Sequence, residues 1–113
     1  MNKGISEVME MAHRYLYVLS DFGNDETVYF NLIVAHAGLL KFAREEELPS
    51  GLRNLILEVA AVLRDFLSQS ALSSVDLAII RDSIGQILHW SEEELKIVER
   101  KQFHLNREGV VHA

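Results

Sequence analysis

The chain has no cysteine and one proline, Pro49, among 113 residues. Without cysteine there is no disulfide, no thiolate nucleophile and no Cys-based zinc site, which suits a reducing compartment. Breakers are few, with six glycines beside the one proline. Basic residues are also scarce: 11 Lys and Arg stand against 17 Asp and Glu, for a net charge of −6. That balance argues against direct nucleic-acid binding, which needs a basic face for phosphates. Long apolar runs are missing. The longest uncharged run, residues 27–40, has 14 residues and includes Asn31 and His36, whereas a membrane span needs about 20. Near the N-terminus Lys3 resembles the start of a leader, but Glu7, Glu10, His13 and Arg14 interrupt any apolar core of one. The expectation is a soluble, cytoplasmic protein without a membrane segment.

What is present is apolar content, 49 % of the chain, and its spacing is helical almost throughout. A length of 113 residues fits one domain with a core of its own. Residues 1–105 are expected to form it, with 106–113 as a flexible tail, because the periodicity ends and Gly109 follows. Ile5, Val8, Met9, Ala12, Tyr15, Leu16 and Leu19 recur at i, i+3, i+4, the stripe of an amphipathic helix. Turn formers at residues 21–25 end it near Ser20. Asp25 is placed to cap a second helix running to about Glu47, where Pro49 disfavours helix at Leu48. Tyr29, Leu32, Ile33, His36, Leu40 and Ala43 share one face of that helix; Val28, Leu39 and Phe42 add a second. Ser50 is expected to cap a third helix striped by Leu52, Leu55, Ile56, Val59, Leu63, Phe66 and Leu67. Both middle helices are apolar on more than one face, which predicts that each lies inside the bundle.

Residues 68–72 form a loop in this scheme. Ser73 and Asp76 resemble a capping box opening a fourth helix with Leu77, Ile80, Ile84, Ile87 and Leu88 inward. Ser91 and Glu94 repeat the box. One helix over 74–104 would be about 45 Å long at 1.5 Å per residue and would overshoot its neighbours. The expectation is therefore a bend at residues 90–91 and a short fifth helix carrying Leu95, Val98 and Phe103. The fold class is all-α: an antiparallel up-and-down bundle of four helices, the last bent or split into a fifth.

Most catalytic and metal-binding signatures are absent from the sequence. Glu10 and His13 have the E-x-x-H spacing of di-iron bundles, but those sites need a second such motif as well as carboxylates from two more helices, and the sequence has no second E-x-x-H. His36 reads as a buried histidine bonded to a neighbour. There is no Gly-rich phosphate loop, G-x-S-x-G elbow or H-E-x-x-H, and no metal or other cofactor is expected. Arg107 and His112 have four residues between them, which resembles the R-x4-6-H element of HEPN-type helical ribonucleases. The resemblance covers those two residues and implies a dimer cleft lined by them; Arg100 and His104 are one residue too close for it.

The acidic clusters point elsewhere. Residues 92–94, all Glu, are expected to open a helix, where the backbone dipole favours them. Glu45, Glu46 and Glu47 close a helix, where it disfavours them by about 0.3–1 kcal/mol each. Asp21, Asp25 and Glu26 form a further group beside Tyr17. The first 50 residues hold eight acids against four bases. This pattern leads to a non-enzymatic module that binds a basic protein. Its contact set is Asp21, Asp25, Glu26, Glu45, Glu46 and Glu47, with Tyr17 and Tyr29 as anchors. In size, charge and helix content it resembles the bacterial immunity proteins and antitoxins that neutralise a nuclease toxin. The alternatives are the HEPN-like ribonuclease and a homodimeric scaffold or regulatory subunit that uses surplus apolar faces.

Overall fold

The computed structural model describes the backbone of residues 2–20, 25–45 and 47–112, with side chains for 4–19, 26–45, 47–97 and 100. Four helices follow in order: α1 Asn2–Ser20, α2 Asp25–Glu45, α3 Ser50–Leu67 and α4 Ser74–His112. α1 packs on α2 and α4, and α3 packs on α2 and α4, while α1/α3 and α2/α4 lie across the diagonals, with no Cα atoms within 8 Å of each other among the described residues. This is the antiparallel four-helix arrangement that the short connections predict.

Every helix gives the core one stripe: Ile5, Val8, Ala12, Tyr15 and Leu19 from α1; Leu52, Ile56, Val59 and Leu63 from α3; Leu77, Ile80, Ile84 and Ile87 from α4. In α2 the core stripe is Val28, Leu32, Ala35, Leu39 and Ala43. This corrects the predicted face. Ile33 is exposed, His36 is half-buried rather than buried, and Tyr29 and Leu40 are half-buried. Among the described residues α2 and α3 each pack on two neighbouring helices, so neither is central, and Phe30, Ile33, Val34 and Leu57 of their surplus apolar faces are exposed.

The helix ends follow local chemistry with two corrections. The Ser73–Asp76 box forms in both directions: the Ser73 N–H donates to Asp76 Oδ2 at 2.9 Å and the Asp76 N–H to Ser73 Oγ at 3.1 Å. α3 is capped by Pro49 rather than Ser50, without a side-chain bond; the Arg53 N–H donates to the Pro49 carbonyl at 3.0 Å. Arg53 Nε reaches back to the Ala43 carbonyl at 3.0 Å, meeting an open acceptor in the last turn of α2.

The larger correction concerns α4. It is one helix of 39 residues, about 58 Å long, with no break at residues 90–91. Ser91 is fully buried and donates from Oγ to the Ile87 carbonyl at 2.8 Å, so it bonds back along the helix instead of capping a new one. Residues 90–101 are rich in Glu, Leu, Lys and Arg, which favour helix without tertiary help. The backbone stays helical through His112, past the expected tail boundary. Overshoot therefore does occur, and the radius of gyration is 17.1 Å, against about 13 Å for a compact chain of this length. No helix of the described residues is long and apolar enough to cross a membrane.

Tyr15 is packed in the core, and burial raises its phenol pKa above the usual 10.0, with Arg14 opposing. The unfolded chain then releases the proton first as pH rises, so folding stability falls above pH 10. Urea midpoints should drop with pH there, and Tyr15→Phe should remove part of that slope. An unchanged slope would mean that Tyr15 ionises as readily folded as unfolded.

Candidate functional site

The helix contacts fix which residues share an end of the bundle. A Cβ added at Gly4 would meet the Glu47 carbonyl oxygen at 3.0 Å, and one added at Gly51 the Trp90 indole at 3.4 Å. The start of α1, the α2–α3 connection and the middle of α4 therefore meet at one end. Glu45 and Glu47, both exposed, sit at that end with Glu92, Glu93 and Glu94. Glu46 lies outside the described residues. Because α4 is continuous, residues 92–94 are mid-helix, and the dipole at a helix start does not account for them. Glu93 pairs with Lys96 Nζ at 3.3 Å, an exposed pair worth at most a few tenths of a kcal/mol. Two acidic runs far apart in the sequence thus occupy one end.

Beside them runs an open groove between α3 and α4 with a volume near 810 Å³. Leu55 and Trp90 give it apolar walls; Asp82, His89, Glu93 and Glu94 give it polar ones. Its floor contains Gly85, where an added Cβ would meet nothing within 4 Å. The groove joins an aromatic surface to three carboxylates, the composition that holds a lysine or arginine side chain by stacking and charge. The sequence held one signal for it, Trp90 immediately before the acidic run, but the expected bend at residues 90–91 separated the two.

The other predicted contact residues lie elsewhere. Glu26 is exposed at the start of α2, the far end of a 21-residue helix from Glu45. That places Glu26 about 30 Å away along the axis. Asp21 lies outside the described residues, as does the side chain of Asp25, whose backbone begins α2. Tyr17 is 80 % exposed on α1. Tyr29 is half-buried and donates its hydroxyl to the Gln69 carbonyl at 2.7 Å, which ties α2 to the α3–α4 connection. The predicted set is therefore split between two ends.

Glu10 and His13 are both exposed on α1. His89 and Glu93, one turn apart on the continuous α4, share the groove. Among the described residues no group of three or more His, Asp or Glu is arranged to hold a metal ion. The side chains of His104, Arg107 and His112 lie outside the described residues. No protein-family model matches this chain, and no curated protein or solved structure matches it.

Proposed function

We propose that this chain is a non-enzymatic protein-binding module that neutralises a basic partner in the cytoplasm, as an immunity or antitoxin-type inhibitor neutralises a nuclease toxin. The observation that carries this reading is the acidic end: Glu45, Glu47 and residues 92–94 beside the groove of Trp90, Asp82 and Leu55. Carboxylates around an aromatic anchor capture a cationic surface quickly and hold it by a desolvated centre. Glu26 and Tyr17, toward the other end with the start of α2 at Asp25, are reached only by a partner spanning the length of the bundle.

The test is capture from host lysate at moderate salt, followed by a nuclease assay of the retained protein with and without added chain. One basic protein should be retained, its activity suppressed by the unmodified chain. A variant with Glu45, Glu47, Glu92 and Glu93 changed to Lys should bind at least about 100-fold more weakly. Equal binding by that variant would remove the acidic end from the interface.

One observation favours a helical ribonuclease as a second reading: the α4 backbone is helical through His112, so Arg107 and His112, the pair with the spacing of the ribonuclease element, lie on one helix. RNA cleavage by the purified chain, lost on changing His104 and His112 to Ala, would replace the binding reading.

A further inference from the structure

α2 carries two apolar seams. Val28, Leu32, Ala35, Leu39 and Phe42 follow the 4-3-4-3 spacing of a heptad and face the core. Phe30, Ile33, Ala37 and Leu40, spaced 3-4-3, follow it again on the outer side. Phe30 is 65 % exposed and Ile33 54 %. Among the described residues α2 packs on α1 and α3 and no helix lies over this second seam.

The outer seam borders a groove between α2 and α3 of about 350 Å³, floored by Leu40, Leu57 and Ala61. Its other lining side chains include His36, Arg44 and Arg64, and none is acidic. Lys41 is exposed one turn from Arg44. In a chain of net charge −6, a cationic groove with an apolar floor is a local reversal of sign. Two copies meeting through it about a twofold axis would set arginine against arginine, which disfavours self-association there.

We propose that this face docks an acidic amphipathic α-helix of another protein, with apolar side chains at heptad spacing on Phe30, Ile33, Leu40 and Leu57, and carboxylates on Arg44 and Arg64. A helix is the occupant because the seam repeats at coiled-coil spacing and a third helix packs naturally over the furrow between two others. The site is distinct from the acidic end in surface and in charge, so it stands or falls independently of the neutralisation reading.

The probe is a synthetic helical peptide of about three heptads, with Leu at its a and d positions and Glu elsewhere. A second peptide carries Lys in place of Glu. Binding is followed by fluorescence anisotropy, and the site is mapped by amide chemical shifts on the full chain. The Glu peptide should bind saturably, with shifts centred on residues 33–44 and 57–64, and the Lys peptide at least tenfold more weakly. Changing Arg44 and Arg64 to Glu should weaken the Glu peptide tenfold or more while circular dichroism keeps its helical signal. Both side chains are exposed but stand in the last turns of α2 and α3, so melting falls slightly, and the Gln variants, which add no charge there, should weaken the peptide in the same direction. Absence of saturable binding, equal binding of the two peptides, or shifts confined to the α3/α4 groove would overturn the proposal. So would a dimer in sedimentation that Ile33→Asp dissociates, which would make a second copy the occupant. Cosedimentation with phosphatidylglycerol vesicles, lost in the Arg44/Arg64 variant, would assign the face to a membrane surface instead.

Discussion

Leu32→Ala is expected to cost the fold about 2–5 kcal/mol, while Ile33→Ala, one residue along, is expected to change it by about 0.5 kcal/mol or less. The two side chains have similar size and near-equal hydrophobicity. They differ in where α2 turns them. Leu32 is fully buried in the hydrophobic core, and its truncation removes transfer energy and leaves a cavity. Ile33 is 54 % exposed on the outer seam, so its truncation removes little buried area and gains slightly in helix propensity. Urea denaturation of both variants checks this directly. Similar losses would mean that the outer seam is covered by the protein's own chain and that both seams belong to one core.

Gly38→Ala is expected to destabilise by about 1–3 kcal/mol, whereas Gly85→Ala should stabilise by about 1 kcal/mol. Both glycines lie inside helices, where alanine is intrinsically favoured. At Gly38 an added Cβ falls on the Tyr15 hydroxyl and crowds its ring carbon at 3.0 Å. Tyr15 is itself packed in the core with 8 % exposure, so its ring has little room to withdraw. The close approach of α1 to α2 therefore depends on glycine there. Removing the hydroxyl relieves the worst contact, so Gly38→Ala in a Tyr15→Phe background should cost at least about 1 kcal/mol less than in the original chain. Additive losses would show that the two residues do not meet. At Gly85 the added methyl enters open space, and only the propensity gain remains. If Gly85→Ala also weakens capture of a basic partner, the gain would come at the expense of a close approach to the α4 backbone in the groove.

Local patterns reached the fold class and most of the core. The stripes of α1 and the first half of α4 were legible because each has one apolar face, and one face leaves one way to turn. The main stripe of α3 was legible because Arg53, Glu58, Arg64 and Asp65 mark its wet side. The Ser73 box was legible because a cap is formed by residues three apart. The same box at Ser91 misled for the same reason. Its residue types fit a helix start, but packing buries Ser91 and its hydroxyl finds the Ile87 carbonyl instead. The acidic end was only half legible. Glu45 and Glu47 stood out against the helix dipole, while residues 92–94 were explained away by a helix start that does not exist.

By itself the sequence determined the all-α class, the starts of the four helices with short connections between them, the absence of thiol chemistry and an acidic balance. These depend on composition and on interactions within a few residues, which a periodic pattern records. Only the tertiary structure decided which seam of α2 is buried, because both seams are apolar and the choice depends on how α1 and α3 meet α2. It also decided that α4 continues past its neighbours, since helical hydrogen bonds are satisfied within the helix and need no partner to extend. Last, it set Glu45 and Glu47 at the same end as Glu92 and Trp90, a proximity created by the packing of helices and written in no local spacing.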